Sequence, residues 1–587
     1  MSRGVRITFT RHQRTNANIR TVLPARVEDF YLPDMVSKVQ DCGKVLIGDA
    51  VVSTTGLSIG ASSYHELLAP KPPQTAMSGD GILIHTVSAA NHHELGEFDT
   101  RFHLLQKAAT ETGGVFLYAN SRGYGGDRTY SDGGAMIFVN GELVAQGRQF
   151  SLEDVEVITA TINLDDIEPH RTNQHEQVNF FGLNTYQRVS IDFDLSSKPL
   201  VALSNGYNSP IASQMHRNEE EMALSACWMW DYLRRSKAAG FLVPLSGGID
   251  SCSTAIIAFS LCRIVVDALQ KGNAQVEADV RCVVWEKEWL PKTPEELCNR
   301  ILHTVYMGVN GHSSETTRSR ARRLAQHIGA YHTDMNIDSV YQTEKDLARQ
   351  YLGHAPDFGS GSMVENLALQ NIQARLRMVT AYYFAQMLPS TRGRPGGGTL
   401  LVLGSINVEE CLRGSLTKHD CSSADLSPIG SYSKVQIRDF INWASTCYSL
   451  PVLDEFLHAT PSAELEPAGF GQCDDKDMGM TLEEISTFAK LRQEMRLGPL
   501  SMFQRLLNDW RGRKNPGAIA VVVKKFHKFY GINRHKMTTM TPAYHAGKLN
   551  PDHHRHDMRP MLYPAFEDNW SCKRIDQMAE QQKAQVD

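Results

Sequence analysis

The stretch Gly240–Ala258, GFLVPLSGGIDSCSTAIIA, constrains this chain more than any other part of it. An apolar run, Phe241 to Leu245, enters Ser246-Gly247-Gly248-Ile249-Asp250-Ser251, and an apolar helical pattern starts at once. Two adjacent glycines let the backbone turn tightly and approach a phosphate, while the first unpaired N–H groups of the helix point at it. Ser246 and Ser251 add hydroxyl donors, and Asp250 is a hard oxygen ligand in the right place for Mg2+. There is no G-x-x-x-x-G-K-[ST], so this is not a Walker loop. The hexapeptide alone also suits a plain serine-capped turn. The strand before it and the helix after it favour phosphate binding.

The surroundings continue the pattern. After a polar segment at 196–213, read as a linker, Glu219 to Ser236 is expected to be one helix, acidic at its start and basic at its end. From Phe241 to Leu245 onward, strand-like and helix-like segments alternate: Thr254 to Ala268, Val280 to Trp285, Thr317 to Ile328, Tyr331 to Ile337, Leu367 to Leu388 and Leu400 to Leu403. Alternation of this kind predicts a parallel sheet with helices on both faces. The region before the linker, residues 1–195, has short apolar runs at Lys44 to Val52, Gly81 to His85, Gly114 to Ala119, Ala135 to Val144 and Val155 to Ile162. Helical spacing appears at Arg101 to Thr112, and Asn140-Gly141 between AMIFV and ELVAQ is a hairpin signal. A second α/β domain is expected there.

Composition narrows the class. Lys+Arg 60 against Asp+Glu 65 leaves a net charge of -5, without the basic surplus of a nucleic-acid binder. The eleven cysteines include no C-x-x-C pair and read as reduced thiols, so no zinc ribbon is expected. No run of eighteen apolar residues and no signal-peptide core is present, so no membrane partner is expected and a cytoplasmic location is the default. His545, His553, His554 and His556 read as a solvated tail rather than a metal site.

The loop at Pro244–Ser251 resembles the pyrophosphate-binding loop of the N-type ATP pyrophosphatase superfamily. Three later stretches sharpen the likeness: ENLALQNIQARLRM (365–378), LVLGSINVEECLRGSLTKHDCSSADLSPIGSYSK ending at Lys434, and NRHKM (533–537). With them, residues 214–587 resemble NAD synthetase, which amidates the nicotinic-acid carboxylate of deamido-NAD. The resemblance implies a doubly wound, Rossmann-like parallel sheet, ATP as co-substrate and Mg2+. Ser246 falls at the position marked as the active-site serine. Pro244, Leu245, Ser246, Gly247, Gly248, Ile249, Asp250 and Ser251 match the ATP loop, and Ser405, Lys434 and Ser462 match further ATP contacts. Asp250 and Glu410 match Mg2+ ligands. Arg375, Lys418, Asp425, His535 and Lys536 match contacts to deamido-NAD, and a Gly/Ser-rich segment at 359–362 suits a lid. A homo-oligomer is expected.

From about Phe30 the chain resembles the nitrilase-like glutaminase half of glutamine-dependent NAD synthetase, best through GDRTYSDGG and FSLEDVEVITATI. The resemblance implies a Cys-Glu-Lys set that hydrolyses glutamine and passes ammonia on. Here Tyr64, in GASSYHELLAP (60–70), falls where the cysteine is expected, the Glu segment is placed before residue 1, and the Lys segment matches only loosely around 11–20. A phenol with an ordinary pKa near 10 is a poor nucleophile. The expectation is therefore a partial, inactive glutaminase domain and a synthetase that takes ammonia directly. Alternatives kept open are a fully glutamine-dependent synthetase whose N-terminal region is incomplete here, a non-catalytic subunit of a hetero-oligomer, and another adenylating enzyme.

Overall fold

The computed structural model describes residues 28–126, 128–163, 167, 169–170, 186–192, 216–359, 362–459, 464–467, 479–551 and 569–584. These form two compact units. The first takes the described residues up to His92, Gly96–Gly123 and those from Ser131 to 192; the second takes His93–Leu95, Tyr124–Tyr130 and those from His216 onward. The segment at 196–213 lies outside the described residues.

The first unit is α/β. Its sheet contains β1 (Ala50–Ser53), β2 (Ser58–Ser63), β3 (Ile84–Ala89), β4 (Val115–Asn120), β5 (Met136–Val139), β6 (Glu142–Gln146) and β7 (Gln187–Ser190), in the order β6-β5-β4-β3-β2-β1-β7. Strands β2, β3 and β4 run parallel, and β4, β5 and β6 alternate in direction. The β5–β6 hairpin turns at Asn140 (φ 52°) and Gly141 (φ 91°), the pair of left-handed residues a two-residue turn of this hand requires. Helix α1 (Glu97–Thr112) packs Phe98, Leu105, Ala108 and Ala109 against Val87, Phe116, Met136 and Phe138. Val155 to Ile162, expected as a strand-like run, joins no ladder among the described residues. It keeps the period of two all the same: Val155 and Val157 are exposed, while Ile158, Ala160 and Ile162 pack inward.

The second unit is built on four parallel strands: β8 (Phe241–Pro244), β9 (Leu302–Gly308), β10 (Tyr331–Asn336) and β11 (Leu401–Val402), ordered β10-β9-β8-β11. The chain steps outward from β8 to β10 and then returns to the other side of β8. That reversal opens a crevice beyond the carboxyl ends of β8 and β11, where doubly wound sheets hold ligands. Helix α2 (Ile249–Gln270) follows β8 and packs against it. It is long and apolar enough to span a bilayer, but 72% of its apolar window is buried inside the protein, as in a core helix. Helix α3 (Glu315–His327) leads to β10; α4 (Met363–Thr391) packs Leu369, Leu376 and Met378 on Leu242, Val305, Met307 and Val402. After β11 come α5 (Val408–Arg413) and, further on, α6 (Lys434–Cys447).

Three expectations need correction here. The strand after α2 is not Val280 to Trp285: those residues close helix Ala274–Val284, where Val280, Val283 and Val284 are buried at helical spacing. The strand is β9, buried at every position, a pattern that gives no alternation to read. The helix expected over Glu219 to Ser236 is two, Asn218–Leu224 and Ala226–Ser236, separated at Ser225, whose hydroxyl donates back to the Met222 carbonyl at 2.6 Å. His545 is buried and its Nε2 lies 3.3 Å from Glu94, so it is not part of a solvated tail; His553, His554 and His556 lie outside the described residues.

Two buried histidines give this unit a predictable response to acid. Burial, then the neighbouring Arg392, pushes His303 down to about 3; burial, then Arg492, does the same to His527. His303 Nε2 accepts from Arg392 Nη1 at 2.9 Å, which fixes it as neutral. Unfolded histidine takes its proton near 6.5, so the stability these groups support is complete above about pH 6.5 and drains as pH falls toward 3. The slope is about 1.4 kcal/mol per pH unit for each histidine in that window. The thermal midpoint should therefore fall between pH 7 and 5, and His527→Gln should flatten the fall. A wild-type midpoint constant over that range would contradict this.

Candidate active site

The crevice is bordered by the loops that leave β8 and β11. In the first, Gly247 has φ +84°, and a Cβ there would stand 2.4 Å from the Thr317 carbonyl oxygen of α3, so only glycine fits. Ser246 Oγ accepts from Gly248 N at 3.2 Å and lies 3.0 Å from Ser251 Oγ. Ser251 Oγ also receives Ser246 N at 3.2 Å. Arg320 of α3 donates through Nε to the Gly247 carbonyl at 2.8 Å. The predicted phosphate loop is thus a closed turn, stitched by its own serines and held from outside by a buried arginine. Pro244 ends β8, Leu245 is buried, and Ile249 opens α2 with Asp250 in its first turn.

The β11 loop brings the acidic residues to the same crevice. Asn407 caps α5: its Oδ1 receives Glu410 N at 3.0 Å, and Glu410 Oε2 accepts from Asn407 N at 3.5 Å. Asn407 Nδ2 donates to Asp250 Oδ1 at 3.1 Å. Asp250 and Glu410, far apart in sequence, are therefore joined through one amide. Two carboxylates are a hard oxygen donor set that suits Mg2+. Lys434, buried at the start of α6, forms an ion pair with Asp250 Oδ2, so it is no ordinary surface lysine. Glu409 is fully buried; it accepts from Lys434 N at 3.0 Å and from Ser486 Oγ, and burial raises its pKa before those bonds lower it. Ser405 is half-buried in the same loop, beside Gly404, whose carbonyl receives Thr254 Oγ1 at 3.3 Å. Ser462 and the centre of the 359–362 segment lie outside the described residues.

The residues matched to deamido-NAD fall into two groups. Arg375 Nε donates to the Lys418 carbonyl at 3.0 Å, which brings these two together. The Lys418 ammonium has no hydrogen-bond partner among the described residues, and His535 is exposed. Asp425 and Lys536 are occupied within the fold. Asp425 accepts from Tyr382 OH at 3.2 Å and from Val402 N at 2.8 Å, pinning the segment to β11. Lys536 donates to the Gly414 and Leu416 carbonyls, each at 2.7 Å, and so shapes the turn that presents Lys418. Burial lowers its pKa, while Asp420 opposes that fall. Residues not singled out in the sequence are Arg320, Glu409 and Asn407. The N-x-x-E spacing of Asn407 and Glu410 was a readable capping box; the reach from Asn407 to Asp250 was not.

In the first unit, Tyr64 follows the end of β2 and opens a short helix capped by Ser63 and Glu66. It is 6% exposed and packs in the core with Val87 and Phe98. Burial, then Glu97 and Tyr118, pushes its phenol up to about 12. A group so reluctant to ionise is a poorer nucleophile than free tyrosine.

A parallel α/β sheet whose strand order reverses beside a glycine-hinged loop and two carboxylates has the form of a nucleotide-binding site. Residues 221–498 match the family described as NAD synthase; His535 and Lys536 lie beyond the match. The chain is 47% identical over 580 residues to the glutamine-dependent NAD(+) synthetase of Saccharomyces cerevisiae, covering 96% of this chain and 80% of that one. It is 45% identical over 544 residues to the glutamine-dependent NAD(+) synthetase of Homo sapiens, covering 91% and 76%. A solved glutamine-dependent NAD(+) synthetase from Cytophaga hutchinsonii shares the fold, with a TM-score of 0.67 at 19% identity over 94% of this chain and 77% of that one. The chain belongs to the glutamine-dependent NAD(+) synthetase family. It is a ligase that forms a carbon–nitrogen bond.

Gly247→Ala tests the loop geometry. The positive φ and the 2.4 Å approach to Thr317 require the loop to shift away from α3. The expected result is at least a tenfold loss of ATP affinity in equilibrium titration, with the thermal midpoint lowered by only a few degrees, since the strain of one such residue is about 1–3 kcal/mol. Unchanged ATP affinity would remove this loop from the site.

Proposed function

We propose that the chain uses ATP to amidate deamido-NAD, giving NAD, AMP and pyrophosphate. The observation that carries this reading is the linkage of Asp250, Asn407 and Glu410 across the two crevice loops, beside the Gly247 turn. The substrate carboxylate attacks the α-phosphorus of ATP; the bond to pyrophosphate breaks and an acyl adenylate forms. A nitrogen nucleophile then adds to the acyl carbon, loses a proton, and AMP departs with its oxygen.

In this reading the loop of Ser246, Gly247, Gly248 and Ser251 holds the phosphates, and Lys434 moves from Asp250 toward the charge developing on the phosphoryl oxygens. Asp250 and Glu410 would hold Mg2+, which would supply charge neutralisation for the triphosphate. Arg375 and Lys418 orient deamido-NAD, with Asp425 and Lys536 shaping the segment that carries Lys418. Ser405 and Ser462 remain proposed ATP contacts, and His535 a proposed substrate contact. Asp250→Ala or Glu410→Ala should abolish adenylation, measured as pyrophosphate release, with circular dichroism unchanged. Retention of normal turnover by either variant would refute the metal assignment.

We further propose a homo-oligomer. Helix α4 exposes Met363, Val364, Leu367, Val379 and Tyr383 along its length, an apolar surface of the kind a second copy covers. No nucleic-acid or membrane partner is proposed, and the free thiols among the described residues suit the cytoplasm.

For the nitrogen donor, the relatives' names favour glutamine over the direct use of ammonia that Tyr64 suggests from sequence. Glutamine is accordingly the first reading. One observation supports a second: Tyr64, which the resemblance sets at the thiolate position of the nitrilase-like glutaminase, is a buried phenol with its pKa pushed up to about 12. In that reading nitrogen reaches the ligase as ammonia formed elsewhere. NAD formation with ATP, Mg2+ and deamido-NAD, comparing glutamine with ammonium, separates them. Equal rates support glutamine use by the chain itself. Activity with ammonium alone, unchanged in Tyr64→Phe, supports the second reading.

A further inference from the structure

We infer that Asn407 is a positioning residue for the divalent cation, acting through the two carboxylates that would bind it. The inference rests on the assignment of Asp250 and Glu410 as those ligands. Asn407 is 1% exposed, and both ends of its amide are used. The oxygen end does what any N-cap does, receiving Glu410 N at 3.0 Å. Asparagine, aspartate and serine serve about equally well there, so capping alone does not call for an amide. The nitrogen end leaves the helix altogether and donates at 3.1 Å to Asp250 Oδ1, on the helix that follows a different strand. Among the described caps with an acceptor side chain, Asn273, Thr293, Ser314, Ser362, Ser433, Thr481 and Asn515 all bond to their own helix start in the same way.

The geometry has a specific consequence for the two ligands. Asp250 Oδ2 is taken by Lys434, a full charge that competes with a metal ion for the same oxygen. Asp250 Oδ1 is held by Asn407, a neutral donor that fixes the carboxylate plane without opposing an incoming cation. The same residue sets Glu410, through its cap acceptor and its backbone N–H. One residue therefore meets both ligands: its side chain fixes the Asp250 carboxylate and the helix start that carries Glu410, while its backbone N–H meets the Glu410 carboxylate, as outer-shell partners of metal ligands commonly do. Removing such a partner typically weakens metal binding by about 10–100-fold.

The test uses the full chain carrying Asn407→Ser, which keeps a cap acceptor but is too short to reach Asp250, and Asn407→Gly, which caps adequately without any side chain. Asn515→Ser, at the start of helix Pro516–Ile532, is the control for capping alone. Mn2+ binding in the presence of a non-hydrolysable ATP analogue is followed by electron paramagnetic resonance. The Mg2+ concentration for half-maximal turnover is measured alongside. Both Asn407 variants should bind Mn2+ at least tenfold more weakly and need correspondingly more Mg2+, with kcat largely recovered at saturating Mg2+ and Asn515→Ser unchanged. Wild-type Mn2+ affinity in either folded Asn407 variant would reduce Asn407 to a cap and overturn the inference. Wild-type Mn2+ affinity in Asp250→Ala would instead refute the ligand assignment beneath it.

Discussion

The Asp250 carboxylate is gripped from both sides, by the Lys434 ammonium at the start of α6 and by the Asn407 amide at the start of α5. Three segments separated by long stretches of chain meet at that one group: the loop after β8, the loop after β11 and the helix start at Lys434. Its partner Lys434 is buried, and removing one member of such a pair leaves the other's charge uncompensated. The grip therefore does two things at once. It holds the crevice loops in register, and in the proposed reaction it keeps a hard anionic ligand poised for a cation on the nucleotide's phosphates.

The rest of the second unit can be traced outward from this point. Strand order brings β11 beside β8, with Leu242 opposite Val402, so the two loops cannot separate without breaking the sheet. Buried Glu409 receives Lys434 N and Ser486 Oγ, tying α6 and the Leu482–Ala489 helix to α5. Asp425 returns to Val402 N, and Lys536 closes the turn ahead of Lys418. Charged side chains thus act here as fixed struts. Lys434 differs from them, because its partner Asp250 is one that Mg2+ and ATP would compete for.

How much of this was legible in the sequence depends on the range of the interaction. The β8 loop announced itself because its requirement is local: a strand, two glycines and an apolar helix, with Gly247 at φ +84°. The Asn140-Gly141 hairpin was readable for the same reason. Strand β9 was missed because LHTVYMG is buried on both faces, which erases the alternation that marks a strand. Val280 to Trp285 looked extended because β-branched residues tolerate either state, and packing of Val280, Val283 and Val284 made it a helix. Within the site, Asp250 was legible from its loop, while Glu410 and Lys434 came from the resemblance. Their mutual arrangement through Asn407 and the support from Arg320 arise only from tertiary contact. Lys536 shows the converse: a residue matched to the substrate turns out to hold two carbonyls of its own chain.

In the proposed reaction the crevice activates the substrate carboxylate as an adenylate before any nitrogen is needed. Exchange of labelled pyrophosphate into ATP, with deamido-NAD and Mg2+ present and every nitrogen donor excluded, measures that step alone. Exchange that requires deamido-NAD and disappears in Asp250→Ala is the expected result. No exchange in a preparation that forms NAD once nitrogen is supplied, or exchange persisting in Asp250→Ala, would contradict it.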